Sequence, residues 1–195
     1  MTLLVLGLVL FLGIHSVRIF AEGWRTHLLS RWGEKPWKAA YSLVSLLGFV
    51  LIVWGYSLAR QQPVYVWSPP VAMKHLNSLF TLAAFILLAA AYVPRNHLKA
   101  RLHHPMVLAV KLWAAGHLLS TGTLAAMVLF GAFLLWAVLD FRASRQRDRA
   151  HASTFPAGTL AGTAISVAVG ALAWALFAFW LHAAWIGIAP LGRTL

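Results

Sequence analysis

No cysteine occurs in the 195 residues, which excludes a disulfide framework, an iron–sulfur cluster and a thiolate-ligated haem. Acidic side chains are nearly as scarce. Aspartate and glutamate total four, so paired-carboxylate acid–base chemistry has almost nothing to work with. Charged residues of either sign make up 10% of the chain, where a soluble domain carries roughly a quarter. Also missing are a glycine-rich phosphate loop and any nucleotide-binding, nuclease or hydrolase motif. What is present in excess is apolar: 61% of residues are hydrophobic, with a mean hydropathy of +0.77. This composition predicts an all-α polytopic transmembrane bundle of about six helices, a single domain spanning residues 1–195.

Six apolar runs are expected to cross the lipid bilayer. They are roughly Leu3 to Phe20, Ala39 to Leu58, Val71 to Val93, Pro105 to the Ser120-Thr121-Gly122 turn, Leu124 to Leu139, and Leu160 to Ile188. The first run lacks a basic leader and a clean cleavage site, and reads as a retained helix. Pro105 suits a first helical turn, where its missing N–H costs nothing. The last run is rich in Ala and Gly, which permits close helix packing in lipid.

The net charge of +12 points to topology rather than to nucleic acid, because the basic residues fall between apolar runs. Arg25, Arg31, Lys35, Lys38, Arg95, Lys99, Arg101, Arg142, Arg145, Arg147 and Arg149 follow the odd-numbered runs; only Arg60, Lys74 and Arg193 lie on the other side. The positive-inside rule places the first set in the cytoplasm. In a bacterial inner membrane both termini are then periplasmic. Trp24, Trp67 and Trp185 fall near the expected interfaces.

Ionisable residues at membrane depth are costly and mark function by default. His15 and Arg18, with Glu22 one turn on, share a face of the first helix. Lys111 and His117 lie in the fourth, with His104 at its mouth; Lys74, His75 and Asn77 open the third; His182 lies near the end of the last. Each has a plainer reading: an interfacial Arg18–Glu22 pair, solvated Lys74 and His75, a helix-bonding His182. His15 and His117 are harder to dismiss, since an unpaired imidazole inside an apolar helix is expensive. Two such histidines on different helices can ligate one haem iron; interhelical hydrogen bonding is the plainer alternative. By helix rise, His117 lies about 18 Å from Pro105, and His15 about 9–13 Å from the basic end of its helix. Depth therefore leaves His182 as a competing partner for His117.

The run Gly13-Ile14-His15-Ser16-Val17-Arg18 resembles the first-helix signature of the NnrU family. So do His104-Pro105-Met106 with Lys111-Leu112-Trp113-Ala114-Ala115-Gly116-His117-Leu118-Leu119, and the stretch from Leu129 to Asp140. The likeness runs from Leu3 to about Arg149. The chain departs from the family pattern where an Asn-Gly turn is expected, since Thr121-Gly122 stands there. The resemblance implies a role in denitrification, in nitrite and nitric oxide metabolism. It also implies kinship with the 15-cis-zeta-carotene isomerases (Z-ISO), membrane proteins that hold haem b through two histidines. Those ligands correspond to His15 and His117, with His104 a supporting or redox-exchanged ligand.

If haem is bound, Arg18 and Lys111 are expected to pair with its propionates, and Asn77 and Ser120 to orient a ligand imidazole. Three functions follow as expectations. The first is a bis-histidine haem-b protein supporting nitrogen-oxide metabolism by redox or ligand-exchange chemistry. The second is a haem-dependent cis-trans isomerase of a polyene. The third is a cofactor-free transport or assembly factor, which the lack of paired broken helices disfavours. Expected partners are the bilayer and nitric oxide or another small apolar molecule, with no nucleic acid. The sequence does not name partner proteins.

Overall fold

The computed structural model describes residues 1–191, and within them the regular structure is all helical, with two isolated β-bridges and no strand. The elements are α1 (Thr2–Phe20), α2 (Glu22–Trp32), α3 (Glu34–Gln61), α4 (Val71–Tyr92), α5 (His97–Leu102), α6 (Pro105–Ser120), α7 (Leu124–Ala150) and α8 (Leu160–Leu176). A π-helical turn, Phe177–Leu181, then leads into α9 (His182–Ile186). Arg193, counted above with the sparse basic residues, lies outside the described residues.

Five stretches are long and apolar enough to cross a membrane: α1, α3, α4, α7 and Leu160–Ile186. The apolar α6 is shorter, 16 residues or about 24 Å at the α-helical rise, against a hydrocarbon core of about 30 Å. The helices outrun the apolar segments that betray them. α3 begins at Glu34 and α7 continues through Arg142, Arg145, Arg147 and Arg149 to Ala150. Lys, Arg and Glu favour helix, so a helix leaving the bilayer has no reason to stop where hydropathy does. The segment after α1, basic and left without structure by hydropathy, forms α2, whose residues are all at least partly exposed. Its Trp24 meets the buried Trp37 edge-on at 5.9 Å. Gly33, at φ +82°, makes the turn into α3, a conformation that disfavours any residue with a Cβ.

Two compact units divide the chain. The first holds Met1–Trp67 and Gly122–Asp140, the second Ser68–Thr121 and the chain from Phe141 onward. In the first, α1 packs along α3 at close range. A Cβ on Gly7 would come within 2.6 Å of the Ile52 backbone nitrogen, and one on Gly48 within 2.7 Å of that of Phe11. Small residues allow such approach, and dispersion across the backbone contact is what holds helices together in lipid. Leu4, Leu8, Ile52, Ala126, Leu129 and Phe130 are buried in this unit, whereas Leu43, Leu46 and Val53 stay exposed, as side chains facing lipid do.

In the second unit α4 packs on both α6 and α8. The α8 face is the small-residue stripe Gly162, Ser166, Gly170, all buried. One turn on, Trp174 donates its Nε1–H to Thr81 Oγ at 3.1 Å. Asn96, 1% exposed, closes the end of α4 and opens α5 together. Its Nδ2 donates to the Ala90 and Val93 carbonyls at 2.9 and 2.6 Å, and its Oδ1 accepts from the Lys99 amide at 2.7 Å. A buried amide with its polar atoms engaged rigidifies this corner.

Candidate functional site

His15 and His117 are each fixed by their own helix. In the first unit, His15 Nδ1 donates to the Phe11 carbonyl one turn back, at 2.6 Å. In the second, His117 Nδ1 donates to the Trp113 carbonyl at 2.8 Å. A ring nitrogen facing a carbonyl must carry the proton, so the lone pair of each neutral imidazole resides on Nε2. This is the tautomer and the anchorage that ligand histidines use. It also corrects one expectation. Asn77 and Ser120 do not orient an imidazole; Asn77 Nδ2 donates to Ser120 Oγ at 2.9 Å, and the helix carbonyls do the orienting. The reason is proximity, since the carbonyl four residues back lies within reach of each Nδ1.

Around His15 the first unit builds an aromatic cage. Phe11 stacks on it at 4.2 Å, Tyr41 of α3 lies at 5.1 Å, and Trp136 of α7 meets it edge-on at 6.1 Å. Arg18, three residues on from His15, lies 3.9 Å from Glu22, which also accepts from Arg25 at 2.9 Å. The surface ion pair expected as the plainer reading therefore exists. At 59% exposure the Arg18 side chain is held too loosely for it to be worth much.

Around His117 the second unit is more polar. Its carbonyl accepts from the Thr121 amide at 3.0 Å and from the Thr121 hydroxyl at 2.5 Å, which closes the end of α6. Gly116 explains itself here: a Cβ would run into Asn77 Oδ1 and stand 3.0 Å from Phe80 Cβ. Asn77 Oδ1 is buried without a hydrogen-bond partner among the described residues. His182 belongs to the same unit and is near enough to act on His117 electrostatically. Its Nδ1 donates to the Ile188 carbonyl at 2.7 Å, a carbonyl brought back by the left-handed turn at Gly187.

His104 takes another part. It is the N-cap of α6, thirteen residues before His117, or about 20 Å along the helix. That separation sets His104 and His117 at opposite ends of α6. His104 Nε2 donates to Asp148 Oδ2 at 2.8 Å. Asp148 also lies 3.3 Å from His103 Nδ1 and 3.5 Å from Arg145 Nη1, while Arg145 bonds His103. Phe155 covers His103 at 4.0 Å. Lys111 lies 4.0 Å above the Phe141 ring, a cation–π contact. The sequence marked His104 and Lys111 but not their partners. Asp148, a lone acid within the Arg142–Arg149 run, was the one available signal.

The NnrU protein family model matches residues 3–190, nearly the whole chain. The chain belongs to the NnrU family. No curated protein and no solved structure matches it. The NnrU match covers all five long spans and α6, so the two intramembrane histidines, the His104-Pro105 entry to α6 and the basic end of α7 all lie within the family domain.

Side chains suited to a haem are present in this NnrU chain. It offers imidazoles with Nδ1 tied and the lone pair on Nε2, an aromatic wall at His15, and a cation on each of the two helices that carry these histidines, Arg18 on α1 and Lys111 on α6. A buried indole donor at Trp136 lacks any acceptor among the described residues.

Proposed function

We propose that this chain is a b-type haem protein of the membrane that serves nitrite and nitric oxide metabolism, with His15 and His117 as its iron ligands. The observation that carries the reading is the matched anchorage of the two histidines. Each lies in an apolar helix, and each donates Nδ1–H to the carbonyl one turn back. That bond leaves Nε2 of each ring as the nitrogen for an iron or, in the plainer role, for a donor on another helix. Family membership supplies the link to nitrogen oxides as a resemblance.

Haem bound there would supply a one-electron couple and, with one imidazole displaced, a coordination position for a small ligand such as nitric oxide. The protein's own part is to hold, orient and shield. Phe11 O and Trp113 O fix the ring planes; Phe11, Tyr41 and Trp136 exclude water from His15. Arg18 and Lys111 provide positive charge for carboxylates that would otherwise be costly in lipid. No carboxylate pair or nucleophile is needed, which fits a chain with four acids and no cysteine.

The test is haem content and physiology together. Detergent-purified protein made with adequate haem supply should yield b haem in a fixed ratio to chain by pyridine haemochrome. Deleting the gene in its host should slow nitrite or nitric oxide clearance, with wild type but not His117→Ala restoring it. Well-folded protein without haem refutes the cofactor; haem binding with unaffected clearance refutes the nitrogen-oxide role.

A further inference from the structure

Three helices of the first unit meet at His15, and one of them brings a polar group with nothing to bind. Trp136 of α7 stands edge-on to the imidazole, with an interplanar angle of 88° and ring centroids 6.1 Å apart. Its indole N–H is buried and has no hydrogen-bond partner among the described residues. Buried tryptophan normally finds an acceptor for this group, and a native orphan calls for an explanation. A second buried orphan, Ser45 Oγ, is on α3 one turn beyond Tyr41. The antiparallel register that sets Gly55 against Leu4 and Gly48 against Phe11 puts Ser45 level with Ile14, beside His15.

Both orphans lie near the depth of the His15 imidazole. Either can donate a hydrogen bond, and tryptophan can only donate. What is lacking is therefore an acceptor. Three residues beyond His15 on α1 comes Arg18, a cationic donor on the same helix face. A neutral N–H beside the imidazole, with Arg18 one turn on along α1 to offset Asp140 one turn beyond Trp136 on α7, suits a planar ligand of that imidazole bearing carboxylates. A net charge of +12 with four acidic side chains leaves the protein ready to receive such anions.

We propose that Trp136 is a further cofactor-binding residue, its Nε1–H donating to a carboxylate oxygen of the haem that His15 ligates. This rests on the haem reading above and adds to it a residue that would orient the bound group. Arg18 neutralises charge there; Trp136 supplies direction.

The experiment compares Trp136→Phe with wild type in the full chain. Phenylalanine keeps an aromatic ring against His15 and removes the N–H. Three readouts follow: haem transfer to excess apomyoglobin, the midpoint potential, and the resonance Raman bending modes of the haem carboxylates. The variant is expected to lose haem roughly 10–100-fold faster, since one hydrogen bond to a charged group is gone. Its potential should fall, because an unshared carboxylate charge favours ferric iron, and the carboxylate mode should move. The haem-free variant should be at least as stable as haem-free wild type, having shed an unsatisfied donor. Haem loss, potential and Raman modes identical to wild type overturn the proposal. So does destabilisation of the haem-free variant that accounts for the haem loss, because Trp136 would then be a packing residue. Absence of haem from wild type overturns the haem reading itself, and shows before any variant is compared.

Discussion

Replacing Gly116 by alanine tests the packing that surrounds His117. The new Cβ would overlap Asn77 Oδ1 and lie 3.0 Å from Phe80 Cβ and 3.3 Å from Asn77 Cγ. Asn77 can swing aside only by giving up its bond to Ser120, a loss of about 1 kcal/mol. Phe80 Cβ is anchored to the α4 backbone and cannot yield without moving the helix. Overpacking of this kind costs about 1–3 kcal/mol. Together the two effects amount to about 2–4 kcal/mol, which corresponds to a fall of about 5–15 °C in Tm for a chain of this size. The assay is thermal unfolding in mild detergent, with Gly13→Ala as control, since a Cβ there meets nothing within 4 Å. That variant should match wild type to within about 1 kcal/mol. Adding Asn77→Ala to Gly116→Ala should recover part of the loss, because it clears the tighter of the two contacts. Gly116→Ala as stable as Gly13→Ala would refute the α4–α6 register on which the description of the His117 site depends.

Asn96→Ala should be among the most damaging single changes outside the histidines. It strands the Ala90 and Val93 carbonyls and the Lys99 amide, costing about 2–4 kcal/mol, to be read as Tm and as yield of folded protein. Asp148→Asn should lower Tm more than Arg149→Gln, because Asp148 ties His104 and Arg145 together whereas Arg149 is an exposed cation; equal effects would show that the cluster holds nothing. Having no cysteine, the chain suits single-cysteine topology mapping. Cysteines at Arg31 and Arg149 are expected to resist an impermeant thiol reagent in intact cells, and one at Val64 to react; the reverse pattern would contradict the positive-inside orientation.

Much of the fold was legible because lipid imposes simple demands. A helix must be apolar over its span, so α1, α4, α6 and the stretch from Leu160 were readable to within a few residues. Where α3 and α7 leave the apolar region, hydropathy fell silent and the helices ran on. α2 was hidden for the same reason, being amphipathic at most and mainly exposed. The π turn before His182 left no sequence mark, since one extra residue in a helical turn changes no residue type. At the candidate site the ionisable residues were legible by cost alone. Their partners were not, because Asp148 is 44 positions from His104 and Ser120 is 43 from Asn77. Trp136 and Tyr41 passed unnoticed as ordinary aromatics, and only the cage around His15 distinguishes them.

The function proposed for this chain stands or falls on whether its two anchored intramembrane histidines hold a haem iron. The most direct test is the reduced-minus-oxidised visible spectrum of detergent-purified wild type, His15→Ala and His117→Ala, each produced with haem supply. A sharp low-spin b-type spectrum is expected in wild type, lost or converted to high-spin in both variants. A low-spin spectrum that survives either substitution, or wild-type protein that folds without haem, would contradict it.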